Sequence, residues 1–306
     1  MSLRTAPLAE AYAACDRLAR SHYENFPVAS HLLPAAMRPH VAALYAFARI
    51  ADDLADEGNS AAGDRLAQLR AWQEGLHRAA SGQGRALRAN DRDELILAAI
   101  GHSIRALDLP LVLFDDLVSA FGQDTMTSRY DSWCDVLDYC RRSANPIGRL
   151  VLRIAGHDDG GLDRSSDALC TALQLTNFWQ DFGGDWRKGR LYVPGEVQRA
   201  CGAAEADLGR GRMPPAWGRA IEACAAFTRN EFEAGRLVCD AVRGRLRVEL
   251  RLTWLGGMRM LDRTERGRFD LLDRRPALGV SDAPLILWRA FRWSSRRPSR
   301  PGLGRT

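Results

Sequence analysis

The chain predicts an all-α fold, a single domain whose helices enclose a central cavity. Three observations carry this. Apolar residues recur at helical spacing through most of the 306 residues. No segment alternates as a half-buried strand does, and Leu191-Tyr192-Val193 is at most a short extended piece. Two helical stretches carry acids on one face among otherwise apolar surroundings, so both are expected inside the molecule, around a site.

In chain order, residues 8–22 read as a first helix. Residues 23–39 are broken by Pro27, Pro34 and Pro39 and read as turns. Residues 40–57 form a strong helix stopped by Gly58-Asn59. Residues 62–79 are amphipathic through Leu66, Leu69, Trp72 and Leu76, and a polar linker follows to Asn90. Asp91 starts a helix to about Leu107, and Pro110 suits the first turn of the next. Ser132 caps a long helix to about Ala155, and Asp163 caps the one after it. Residues 201–215 read as a surface loop, and two helices over 216–242 and 245–262 complete the domain.

Composition narrows the class. Apolar residues make up 46%, enough for a sizeable core, and the net charge is +5. Six arginines among residues 287–306 account for it, leaving −1 for residues 1–286. The expected organisation is therefore a domain over 1–286 and a flexible basic tail over 287–306. Seven scattered cysteines without a C-x-x-C pair suggest reduced thiols in a cytoplasmic protein. No signal peptide and no run of the roughly 18 apolar residues needed to span a membrane is evident.

The chemistry is expected in two stripes. Gln174, Asn177, Asp181 and Asp185 share a helix face at i, i+3, i+7 and i+11. Tyr45, Arg49, Asp52 and Asp56 do the same on the earlier helix, with Asp53 beside them. Carboxylates plus one amide oxygen suit Mg²⁺, which binds through few protein ligands and completes its shell with substrate phosphates. Lys188 and Arg190 follow the second stripe in a loop. A metal beside cations points to a diphosphate substrate. A solvated amphipathic surface is the alternative for each stripe taken singly.

In order and spacing, Tyr45-x-x-x-Arg49-x-x-Asp52-Asp53-x-x-Asp56, Tyr139-Cys140, Gln174-x-x-Asn177-x-x-x-Asp181-x-x-x-Asp185 and Gly189-Arg190-x-Tyr192-x-Pro194 resemble the squalene/phytoene synthase family, over about residues 15–265. The resemblance implies an isoprenoid synthase fold. It implies two or three Mg²⁺ ions held by Asp52, Asp56, Asn177, Asp181 and Asp185. It also implies a prenyl diphosphate contacted by His22, Phe26, Arg49, Phe178, Gln180, Lys188, Arg190 and Tyr192, with Tyr45, Asp53, Tyr139 and Gln174 in the catalytic machinery. Three departures from squalene- and phytoene-forming members stand out: His22-Tyr23-Glu24-Asn25-Phe26-Pro27, Ala144-Asn145-Pro146-Ile147-Gly148, and Gln180 where arginine is common. Together they resemble the bacterial hydroxysqualene-forming branch of hopanoid biosynthesis. That branch ionises presqualene diphosphate, supplied by a sister enzyme, and quenches the cation with water. Asn145 is the first candidate to position that water, and a turn residue before Pro146 is the competing reading. Gln180 removes a fixed cation from the diphosphate region.

Phe26, Tyr45, Phe47, Tyr139 and Phe178 are candidate walls of the cation cavity, with core packing the alternative for each. No nicotinamide (NAD(P)H) is expected, in keeping with the lack of a glycine-rich dinucleotide fingerprint. Trp288, Phe291 and Trp293 among arginines suggest peripheral contact with an anionic membrane surface, a disordered tail being the alternative. No nucleic-acid recognition motif is present. The competing functions are condensation of two farnesyl diphosphates to presqualene diphosphate or squalene, phytoene synthesis on the longer homologue, or a non-catalytic assembly role on the same fold.

Overall fold

In a computed structural model, which describes residues 5–21, 32–56, 61–83 and 91–294, the elements are helical. The sole β pairing among the described residues is an isolated bridge between Arg129 and Leu191. The first four helices are α1 (Thr5–Ser21), α2 (Arg38–Asp56), α3 (Ala62–Ala80) and α4 (Arg92–Leu107). α2 begins two residues earlier than expected, because Pro39 sits in its first turn, where a missing N–H costs nothing. Asp91 caps α4, accepting from the amides of Asp93 and Glu94.

Next come α5 (Leu111–Asp124), α6 (Trp133–Ser143) and α7 (Asn145–Ile154). Pro110 immediately precedes α5. The continuous helix expected over 132–155 is two helices that meet at Ala144. Ser132 starts the first through a reciprocal capping box with Asp135, and Pro146 restarts the second. α8 (Gly160–Gln180) is capped by Asp159, not Asp163, which instead takes a bidentate ion pair from Arg153 at 2.6 and 3.0 Å.

The chain continues through α9 (Phe182–Arg187), α10 (Gly195–Cys201), α11 (Glu205–Gly209), α12 (Pro215–Gly235), α13 (Val238–Ala241) and α14 (Gly244–Arg266). The surface loop expected over 201–215 thus contains a short helix, and the helix expected over 216–242 is interrupted after Gly235. A 3₁₀ turn at Val280–Asp282 leads into α15 (Ala283–Phe291).

α8 is the central element. It packs on α7, α12, α14 and α6, and Trp179 near its end is fully buried with its indole N–H donating to Thr228 on α12 at 2.8 Å. A helix in that position is apolar nearly all round. α1 to α4 form the other half of the bundle, which places α2 beside α5 and α7.

The boundary expected at residue 287 falls inside α15. Residues 287–294 are not a loose tail: the Trp293 indole N–H donates to Asp240 at 2.9 Å, and its ring lies 5.3 Å from Trp254 with the Arg236 guanidinium 4.2 Å above it. Ring burial and cation–π attraction hold this end on the body. Residues 295–306, with the remaining arginines of the tail, lie outside the described residues. All seven cysteines are free thiols.

Candidate active site

The two acidic stripes meet. Asp56, in the last turn of α2, takes a two-pronged ion pair from Arg190, one contact at 3.1 Å, and Lys188 Nζ lies 3.7 Å away. Arg190 also donates to the backbone carbonyl of Asp124 at 3.3 Å. The loop after α9 therefore ties the end of α2 to the end of α5. On α2, Arg49 pairs with Asp53 at 2.6 Å and lies 3.8 Å from Asp52.

On α8 the stripe runs through Gln174 and Asn177, both half-buried, to Asp181 and Asp185. Asp181 is the single residue between α8 and α9, so the stripe crosses a helix break. The spacing survives because the Asp181 amide donates to the Asn177 carbonyl at 2.8 Å and the Asp185 amide to the Asp181 carbonyl at 2.9 Å. These two i→i−4 bonds span the break, and the face is kept.

Charge is unbalanced between these ends. Burial and the neighbouring Asp56 push Asp52 up to about 6, against the pull of Arg49. Burial and Asp181 push Asp185 up to about 7. Burial would also raise Asp56, but Arg190 and Lys188 outweigh it and hold the group below the usual range. Among the described residues, no group of three or more His, Cys, Asp or Glu side chains converges to hold a metal unaided. The oxygen donors available to a cation are Asp52 with Asp56 on one side, and Asn177 with Asp181 and Asp185 on the other.

Three participants were not legible beforehand. Asp124, at the end of α5, accepts a 2.6 Å hydrogen bond from the Tyr139 hydroxyl and is pushed up to about 7 by burial. Its neighbours form an aromatic wall: Phe178 stacks on Tyr192 at 3.7 Å, and Tyr139 and Tyr130 close around them. Arg275 reaches Asp181 with a two-pronged contact, one arm at 3.2 Å. Gln180 donates to the carbonyl of Pro276 at 2.8 Å, anchoring the segment that carries Arg275. The cation absent at position 180 is thus supplied by Arg275, 94 positions from Asp181 in sequence. Gly183 permits this approach, since a Cβ there would collide with the backbone carbonyl oxygens of Leu271 and Leu272. The third participant is Glu249 on α14, which lines the cavity described next.

Below the acidic ends lies a narrow, recessed aliphatic cavity of about 50 Å³. Val41 lines it one turn before Tyr45 on α2, and Leu173 lines it four residues, or ~6 Å, before Asn177 on α8. On both helices the apolar segment therefore precedes the polar one in the same direction, and the acids sit at one end of the cavity.

Several expectations need correction or placement. Phe47 is no cavity wall: it is fully buried between Trp72 and Phe114. Tyr45, Tyr139 and Phe178 do not line the aliphatic cavity, whose described lining has no aromatic residue; Tyr139 and Phe178 form the wall at the acidic end. Asn145 is buried with its side-chain oxygen accepting from Thr171 at 3.0 Å, joining α7 to α8. Gly148, one turn on, keeps that joint close, because a Cβ there would strike Ser166 and Cys170. His22 and Phe26, with Glu24 and Asn25, lie outside the described residues.

Residues 19–282 match the squalene/phytoene synthase family model. The hydroxysqualene synthase of Zymomonas mobilis is 39% identical over 208 residues, 68% of this chain and 67% of that protein. The crystal structure of squalene synthase HpnC from Alicyclobacillus acidocaldarius superposes with a TM-score of 0.77 at 39% identity, covering 85% of this chain and 94% of that one. A dehydrosqualene synthase crystallised with a ligand gives a TM-score of 0.79 at 22% identity over 93% and 96% of the two chains, which supports the fold alone. With the motifs brought together at one end of an apolar cavity in an isoprenoid synthase fold, the chain belongs to the squalene/phytoene synthase family of prenyl diphosphate-processing enzymes.

Proposed function

We propose that this chain is a hydroxysqualene synthase, ionising presqualene diphosphate and capturing the rearranged carbocation with water. One observation carries the reading: the two helices that bring acids and Arg190 together at their C-terminal ends, α2 and α8, line an aliphatic cavity with their preceding turns. A diphosphate and a long hydrocarbon on one substrate require that juxtaposition. The similarity to the Zymomonas enzyme and the departures at Asn145-Pro146 and Gln180 favour the water-quenching branch.

Asp52, Asp56, Asn177, Asp181 and Asp185 are the residues we assign to Mg²⁺. The raised Asp52 and Asp185 fit that assignment, because they mark a shortage of positive charge among hard oxygen donors. Bound Mg²⁺ would supply Lewis acidity and counter-charge for the leaving diphosphate. Arg190, Lys188, Arg49 and Arg275 orient the diphosphate oxygens and add fixed positive charge where negative charge develops. The Tyr139, Phe178 and Tyr192 rings close the mouth against bulk water.

A second reading, condensation of two prenyl diphosphates, is favoured by Arg275, which restores a cation beside Asp181. A sister prenyl synthase would supply presqualene diphosphate under the first reading. Exposed Leu287, Trp288 and Phe291 on α15, with Arg289 between them and Arg292 next after them, suit peripheral contact with an anionic membrane surface. No helix among the described residues is long and apolar enough to cross a membrane.

The deciding experiment incubates purified protein and Mg²⁺ with presqualene diphosphate, and separately with farnesyl diphosphate, both without nicotinamide. Hydroxysqualene from the first alone supports the proposal. Presqualene diphosphate formed in the second refutes it in favour of condensation.

A further inference from the structure

The two cations of the loop after α9, Lys188 and Arg190, flank Gly189, whose left-handed backbone (φ +81°) turns the chain between them. Their side chains are held by Asp56. Arg129, in the segment between α5 and α6, holds the same loop by its backbone. Its Nη1 donates to the Gly189 carbonyl at 2.6 Å and to the Ser128 carbonyl at 2.8 Å. The Ser128 carbonyl also accepts from the Leu191 amide at 2.9 Å, so the loop is gripped on both sides of Arg190. The Arg129 guanidinium lies 5.4 Å from the centre of the Trp186 ring on α9. Glu205 takes the other edge of that guanidinium, accepting from Nε at 2.9 and 3.0 Å and from Nη2 at 2.9 Å. Its helix, α11, is itself anchored by buried Leu208 and by the Trp217 indole N–H, which donates to the Ala204 carbonyl at 3.0 Å. An ion pair as exposed as this one adds little to stability. A planar guanidinium gripped along two edges is, however, fixed in orientation.

We propose that Arg129, oriented by Glu205, is a positioning residue that sets Lys188 and Arg190 for the diphosphate. The inference rests on the assignment of those two cations to the diphosphate. Asp56 is among the groups assigned to Mg²⁺, so the hold it gives the two side chains is one that substrate binding changes. The hold on the Gly189 carbonyl does not involve Asp56 and keeps the loop in place throughout. Cations fixed in advance need no reordering when the anion arrives. Arg129 aims its donors at two carbonyls and a carboxylate of the scaffold, so it acts through the loop and not on the diphosphate itself.

The test titrates the full chain with inorganic diphosphate in Mg²⁺ buffer by calorimetry, comparing wild type with Arg190→Gln, Glu205→Ala and Arg129→Gln, and records each melting temperature. Glu205→Ala should weaken diphosphate binding about three- to tenfold, and Arg129→Gln at least as much. The sign is diagnostic: removing a negative charge would by Coulomb attraction alone tighten an anion, whereas loss of positioning weakens it. In an Arg190→Gln background Glu205→Ala should lose most of its effect, because it acts through the same loop. A general loosening of the fold would cost the same in both backgrounds. Unchanged or tighter binding in Glu205→Ala, with Arg190→Gln weakened, overturns the inference and leaves the cation assignment standing. An Arg190→Gln chain that binds diphosphate as wild type does overturns the assignment and this inference together. If Arg129→Gln does not fold, Glu205→Ala decides alone.

Discussion

Tyr139→Phe removes one hydroxyl from the mouth and should move the titration of a residue it does not replace. The Tyr139 hydroxyl donates to Asp124 at 2.6 Å, while the other Asp124 oxygen is buried with no partner among the described residues. Burial already pushes Asp124 up to about 7, and this hydrogen bond works against that rise. A hydrogen bond to a charged group is worth ~1.5–3 kcal/mol, and one pKa unit is ~1.4 kcal/mol. Losing it should lift Asp124 by about one to two units, to roughly 8–9. At neutral pH the carboxyl would change from about half ionised to almost wholly protonated. The stability consequence has a definite sign. Because the folded value lies above the ordinary carboxylate value of 3.8, the folded state holds the proton more tightly. Stability is then fully present below that value and is lost as pH rises towards about 7 in the wild-type chain, and towards ~8–9 in the variant. Carbon-13 NMR of labelled aspartate carboxyls, with Asp124→Asn to identify the resonance, reads the titration directly. An Asp124 that titrates at the same pH in Tyr139→Phe, or near 3.8 in either protein, would refute the reasoning.

Two other outcomes follow from the same geometry. Metal-free protein should lose stability as pH rises through the window from about 4 to about 7, because Asp52, Asp124 and Asp185 are all raised in the folded state. Mg²⁺ should therefore raise the melting temperature more at pH 8 than at pH 5, and equal shifts by calorimetry would contradict the charge-shortage argument. Gly183→Ala should destabilise the fold by ~1–3 kcal/mol and displace the segment carrying Arg275, since its Cβ meets backbone carbonyls that have no rotamer to escape into. A denaturant midpoint unchanged from wild type would count against the close approach.

The parts of this protein legible in sequence are those encoded by short-range spacing. An i, i+4 repeat fixes a face whatever the rest of the chain does, so Asp52 and Asp56 on α2, and Asn177 with Asp181 on α8, were readable as stripes. The helix break at Asp181 did not harm that reading, because two backbone hydrogen bonds, Asp181 to Asn177 and Asp185 to Asp181, span it. Helix ends were less legible. Asp159 and Asp163 are both plausible caps four residues apart, and only the pairing of Asp163 with Arg153 separates them. Trp293 looked like part of a loose basic tail because its partners, Trp254, Arg236 and Asp240, are distant in sequence.

The all-α architecture, the two acidic faces and the family follow from sequence alone, since helical period and motif spacing are local properties of the chain. The site's charge balance and the character of its cavity were decided by tertiary structure. Gln180 reads as a lost cation until the 271–276 segment folds over α8 and sets Arg275 on Asp181. Asp124 is an unremarkable helix-end acid until α6 brings Tyr139 to it. Phe47 has the composition of a cavity wall, yet its face turns to Trp72 and Phe114, while leucines and one glutamate from α14 line the space. Which surface meets which depends on packing between elements many residues apart, where the gain from burying a given face is set by its partner as much as by its own sequence.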